Sequence, residues 1–116
     1  MDIDAGTIHV TGNETVTGGS TVTKTAEGNI TVDGNREVTG STLTETSTNG
    51  SIAVGGDETV TGGSTVTKDA KGDITVGGNR EVTGSTLTET SSNGSIETKG
   101  NVTLADSEAH LTAHKD

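Results

Sequence analysis

The chain has no cysteine, no phenylalanine, tyrosine or tryptophan, and a single methionine. Without cysteine there are no disulfides and no thiolate metal sites, and the redox compartment stays unread. Without aromatic rings the largest sources of burial are missing, so an ordinary globular core is close to excluded. Only 25% of the 116 residues are hydrophobic, and they form no long run. No transmembrane helix is therefore expected. The opening Met1-Asp2-Ile3-Asp4 is acidic and does not read as a signal peptide. Cations are scarce: Lys and Arg number 7 against 17 Asp and Glu, a formal net charge of −10. That balance argues against nucleic acid or an anionic membrane as partner.

What remains is glycine (18 residues), 25 threonines and 10 serines. Composition alone would suit a disordered chain. The order of the residues argues otherwise. Residues 12–54 and 56–98 match at all but eight of 43 positions, an offset of 44. A weaker repeat of 22 lies inside each copy, its units opening at Gly12, Gly34, Gly56, Gly78 and Gly100. Apolar residues fall into four columns at this period. They are Val16, Val38, Val60, Val82, Leu104; then Ile8, Ile30, Ile52, Ile74, Ile96; then Val10, Val32, Val54, Val76, Thr98; and Val22, Leu43, Val66, Leu87. The last column alternates steps of 21 and 23. Gly18-Gly19 in one unit becomes a single Gly40 in the next, and the lost residue returns within Thr48-Asn49-Gly50.

Within a unit, Thr15-Val16-Thr17, Thr21-Val22-Thr23 and Ile30-Thr31-Val32 alternate with period two, as strands do. Gly-Gly, Asn-Gly and Asp-Gly-Asn separate them, residues that tolerate positive φ. Three strands and three turns in 22 residues predict one coil of an all-β, parallel β-solenoid. Four full coils over 12–99, with partial coils at 1–11 and 100–116, would give a rod about 25 Å long. No helical period appears, and Gly, Thr, Ser and Val are poor helix formers.

Charges follow the same stacking. One column reads Glu14, Arg36, Glu58, Arg80, and another Lys24, Glu45, Lys68, Glu89. Each charge lies between opposites, which makes the unit two coils long. These columns are expected on the surface, where a pair contributes a few tenths to about 1 kcal/mol and mainly marks register. Reversal of Arg36 to Glu would then lower stability by about 1 kcal/mol, less in high salt. Stacking of residues 78–99 on residues 12–33 of another copy would set Arg80 against Glu14 and Glu89 against Lys24, continuing the alternation. Asp2 and Asp4 at one end, and Asp106, Glu108, His110, His114, Lys115 and Asp116 at the other, are expected to cover the open edges. A monomer or small oligomer is expected, with end-to-end association once residues 1–6 and 106–116 are removed.

Gly28-Asn29-Ile30-Thr31-Val32, Gly40-Ser41-Thr42-Leu43-Thr44 and Gly100-Asn101-Val102-Thr103-Leu104 resemble the haemagglutinin-type repeats of filamentous haemagglutinin and of contact-dependent-inhibition stalks. The resemblance implies a right-handed parallel β-helix, secretion to a bacterial surface, and a structural role with no catalytic residues. The two-coil alternation of Lys and Glu is similar to that of fungal prion-forming β-solenoids, which stack into fibrils. Gly12-Asn13-Glu14-Thr15-Val16-Thr17-Gly18 is similar to phage and secretion-spike β-helices, whose shorter repeat does not hold here.

Residues that carry chemistry elsewhere find little support. His110 and His114 are four apart, with Asp106, Glu108 and Asp116 near, but on a strand they would be about 13 Å apart, too far to share an ion. His9, between Ile8 and Val10, points outward. No glycine-aspartate run matches a calcium β-roll, and the Arg in the charge column would repel a cation. No serine sits on a nucleophile elbow. The sequons at Asn13, Asn29, Asn49, Asn93 and Asn101 read as turn residues. No enzyme activity, cofactor or metal is expected. The sharpest surface feature is a double ladder, Thr21 and Thr23, Thr42 and Thr44, Thr65 and Thr67, Thr86 and Thr88, facing out about 7 Å apart along the strand and about 4.8 Å between coils. Such a lattice resembles ice-binding faces, although threonine also suits any exposed strand. Thr17, Thr39, Thr61 and Thr83 form a further ladder beyond a turn. The reading is a secreted or cell-surface stalk segment, with a self-assembling fibril and an ice binder as alternatives. Partners would be other copies, ice or a host surface.

Overall fold

The computed structural model describes residues 2–114, with the backbone alone for Asp2. Met1, and the charges Lys115 and Asp116 expected at the C-terminal edge, lie outside the described residues. In chain order the strands are β1 (Asp2–Ala5), β2 (Ile8–Val10), β3 (Glu14–Val16), β4 (Thr21–Ala26), β5 (Ile30–Val32), β6 (Arg36–Thr39), β7 (Thr42–Ser47) and β8 (Ile52–Val54). They continue as β9 (Glu58–Thr61), β10 (Thr65–Ala70), β11 (Ile74–Val76), β12 (Arg80–Thr83), β13 (Thr86–Ser91), β14 (Ile96–Thr98), β15 (Val102–Ala105) and β16 (Glu108–Ala113). Every third strand stacks on the one before. One sheet runs β1-β4-β7-β10-β13-β16, a second β2-β5-β8-β11-β14, and a third β3-β6-β9-β12-β15. All pairings are parallel. The fold is an all-β solenoid of parallel coils about 22 residues apart, with no helix among the described residues. It measures 32 × 31 × 20 Å. Both terminal segments join the stack as partial coils, and the solenoid has about five turns.

The apolar columns fill the interior in the predicted register. Val38 pairs with Val16 and Val60, Ile52 with Ile30 and Ile74, Val54 with Val32 and Val76. All of these except Val16 (6%) are at most 1% exposed. A small column unread in the sequence, Ala26, Ser47, Ala70, Ser91, closes the inner face of the six-stranded sheet. The two serines occur in the coils with the longer turn. Ser47 Oγ donates to the Gly28 carbonyl at 2.5 Å and accepts from the Gly50 amide at 3.0 Å; Ser91 repeats this with Gly72 and Gly94.

Turns stack as strands do. The Asn35 amide donates to Asn13 Oδ1 at 2.9 Å, and Asp57, Asn79 and Asn101 continue that ladder coil by coil. A second corner is tied by serine: the amides of Ser20, Ser41, Ser64 and Ser85 each donate to the next hydroxyl, up to Ser107, at 3.1–3.2 Å. The Gly18-Gly19 and Gly62-Gly63 turns need positive φ at both residues (73–78°), whereas the alternate coils turn on Gly40 or Gly84 alone at 58°. A side chain at the paired positions would be strained. Two turn types thus set the 21/23 alternation.

Inward columns should dominate stability. Ile52→Ala should lower the unfolding free energy by about 2–4 kcal/mol. Thr44→Ala, on the outer face, should lower it by less than about 1 kcal/mol. Urea unfolding of both variants checks the ranking, and equal losses would refute the assignment of inward columns.

Candidate functional site

The charge columns are inside the solenoid, not on its surface, and this corrects the sequence expectation. Arg36, Glu45, Glu58, Lys68, Arg80, Glu89 and Lys24 are all at most 2% exposed, and the Glu14 side chain is 11% exposed. Period two already required it: Lys24 is two residues from Val22, and Glu14 two from Val16, so each shares the inward face of its strand. What pointed the other way was the penalty for burying a lone charge, which a lattice of alternating opposite charges offsets.

The two columns face each other across the interior. Within a coil, Glu14 meets Lys24, Arg36 meets Glu45, Glu58 meets Lys68 at 2.5 Å, and Arg80 grips Glu89 through two hydrogen bonds of 2.8 Å. Between coils, Arg36 Nε lies 2.7 Å from Glu14, Arg80 Nε 3.1 Å from Glu58, and Lys68 Nζ 3.1 Å from Glu89. Signs alternate both along and across, a checkerboard with equal numbers of each. Arg36 binds Glu45 through both terminal nitrogens, the fork geometry that makes arginine suited to a carboxylate. Its side chain was legible as a charge, but its orientation across the core was not.

The lattice keeps Glu58 and Glu45 ionised. Burial alone would push the Glu58 carboxyl up; Lys68, Arg80 and Arg36 together outweigh it and hold it at about 2, against an ordinary 4.5. Burial opposes ionisation of Glu45 too, and Arg36 and Lys68 reverse the balance, so its pKa is also depressed. Lys24 differs. Burial lowers its pKa, Glu45 raises it, and the nearby Arg36 charge adds to the lowering, so the net direction is down. Fully buried and held ionised, Glu45 and Glu58 are structural anions in this arrangement.

Outside, the Thr21, Thr42, Thr65, Thr86 column and the Thr23, Thr44, Thr67, Thr88 column lie on the outer face of the six-stranded sheet, each paired across coils in register. A third column the sequence reading passed over, Thr25, Thr46, Asp69, Thr90, extends this face. It follows from the same period of two. The separate ladder is on another sheet, where Thr39 pairs with Thr61, their hydroxyls 3.4 Å apart.

The remaining candidates do not converge. His9 is exposed and lies 2.8 Å from Asp33. His110 is exposed on β16 and His114 follows that strand. Among the described residues no three His, Cys, Asp or Glu side chains are grouped to hold a metal ion. Asn13, Asn29 and Asn101 are turn residues in the stacked corners. At the C-terminal end Glu108 and His110 stand in the outward Thr86 and Thr88 columns, whereas Val102, Leu104 and Leu111, in inward columns, are 53, 48 and 52% exposed. Charge does not cover that end of the core.

No family model, curated protein or solved structure matches the chain.

Two predictions follow the burial of the lattice. Arg36→Met removes the two-pronged partner of Glu45 and one partner each of Glu14 and Glu58, and should lower stability by about 3–5 kcal/mol. The loss should hardly change between 0.05 and 1 M NaCl, since buried pairs are poorly screened. Arg36→Leu with Glu45→Leu removes a balanced pair and should recover more than half of it. Urea unfolding at both salt concentrations measures this.

Acid gives the second. The folded pKa of Glu58 is depressed to about 2, so its contribution is complete above the unfolded value near 4.5 and is lost as pH falls from 4.5 to 2. The stability difference between the parent and Glu58→Gln should be constant from pH 7 to 5 and shrink over that acid window. A difference that instead closes between pH 7 and 5 would refute the assignment.

Proposed function

We propose that the chain is a non-enzymatic structural shaft, a segment of a secreted or cell-surface stalk of the bacterial adhesin type. The observation that carries this reading is the sameness of the coils. Each inward position over the central coils meets the same residue, one of similar size, or its opposite charge one coil away, and the outer threonines recur in register. An active site needs a constellation that occurs once. A shaft needs one that recurs. The haemagglutinin-type resemblance of the Gly-Asn-apolar-Thr-apolar stretches supplies the surface location. Antibody against the folded chain should label intact cells of the source organism; label that appears only after permeabilisation would overturn the location.

A second reading rests on the threonine face. Over β4, β7, β10 and β13 its outward positions form a lattice of three columns, threonine everywhere except Asp69. Regular hydroxyls and methyls at about 7 by 4.8 Å suit an ordered water layer. Measurement of freezing and melting points on the same solution decides it. A gap between the two that Thr44→Lys and Thr67→Lys abolish would favour ice; coincident points would leave the face as plain strand surface.

A further inference from the structure

The three sheets have unequal numbers of strands. The sheet edged by β1 and β16 has six, and the other two have five each. A second copy can continue both five-stranded sheets head to tail only by setting its β2 on β14 and its β3 on β15. The six-stranded sheet then has one level to fill and two strands to fill it: β16 of the first copy and β1 of the second. We propose that β1 is a displaceable plug on the edge of β4, and that the strand which takes its place is β16 of a second copy of this chain.

The register favours the exchange. β1 pairs with β4 from Thr23 to Ala26 only. Carried along the columns, β16 spans all six residues of β4. Glu108 falls in the Thr21 column, His110 in the Thr23 column, Leu111 in the Lys24 column and Ala113 in the Ala26 column. Ala109 then lies over Val22, beside the cavity that Ile3, Val10, Val16 and Val22 line at this end. Ile96 meets Ile8, and Leu104 meets Val16, each in its own apolar column. The exposed Val102, Leu104 and Leu111 lose their solvent contact at the seam. Charges agree as well. Val102 separates Arg80 from Glu14, and Leu111 separates Glu89 from Lys24, so no like charges meet.

The consequence is an occupancy rule. With both β1 and β16 seated, two strands compete for one level and the chain stays apart. With one of them released, copies join. With both gone, the level is empty and joining fails, contrary to the expectation that stripping both ends would promote it.

Full-length chains carrying Thr23→Cys and His110→Cys test the seam. Within one chain these sites are four strand spacings apart, about 19 Å, beyond the reach of a disulfide. Any bridge therefore joins two copies, and one mapped by peptide analysis between residue 23 of one copy and residue 110 of the other reports the proposed register; only that bridge is counted. Under mild oxidation, adding Ile3→Pro should raise the covalent oligomer ladder at least tenfold over the parent. Adding Leu111→Pro as well should abolish it. A variant with Ile3→Pro that keeps its β-sheet circular dichroism but forms no ladder overturns the proposal, as does a ladder that persists with both prolines. Should Ile3→Pro unfold the chain, Ile3→Gly loosens β1 in its place. In that background the bridging of Thr23→Cys with His110→Cys must exceed that of the off-face pair Thr23→Cys with Glu97→Cys; equal yields overturn the proposal.

Discussion

Every coil of this protein depends on its neighbours, because a coil of 22 residues cannot enclose its own interior. Parallel, in-register strand stacking at about 4.8 Å covers it instead. That constraint decides what each inward position can hold. A side chain there touches the equivalent side chain above and below. An isoleucine or valine accepts a copy of itself, and three of the apolar columns are close to uniform. A charge cannot. Arginine above arginine in a buried column would be repulsion in a low dielectric, so charge is admitted only with alternation. The checkerboard of Glu14, Lys24, Arg36, Glu45 and their successors is the arrangement that meets this condition in both directions. It makes the two-coil unit, and a slip by one coil would superimpose like charges throughout.

The absence of aromatic residues takes on meaning beside this. The interior is narrow, so it is filled by β-branched aliphatics, alanine, serine and the extended stems of Arg and Lys. Arg36, Arg80 and Lys68 are among the largest fully buried side chains in the molecule. Their methylene groups occupy space that a phenylalanine would fill elsewhere. A sequence only a quarter hydrophobic can thus have a closed interior.

Much of the fold was legible because period two and period 22 act on the same residues. The four apolar columns, the short strands and the glycine turns all followed. The charge columns were found but placed on the wrong side of the sheet. Lys24 follows Val22 by two and precedes Ala26 by two, so parity put it inside; the general cost of burying lysine argued for outside. The partner that settles the conflict, Glu14 across the core, comes from a different sheet, and local pattern cannot show which columns face each other. The alternating Ala26, Ser47, Ala70, Ser91 column escaped notice because alanine and serine carry little pattern signal. Its logic lies in the longer turn that Ser47 and Ser91 fill. The outer threonine columns were readable for the same reason as the core: they occupy the other parity.

The checkerboard also constrains how such a gene can grow. Misaligned recombination between repeats adds or removes whole coils. An odd number would bring two arginines or two glutamates face to face in the dry interior, and such a product would be purged as unfolded protein. An even number preserves the lattice. The near identity of residues 12–54 and 56–98, against the weaker likeness at 22, matches a unit of two coils. Whole coils can be added to this core only in pairs, because an odd step sets like charges against each other in the dry interior.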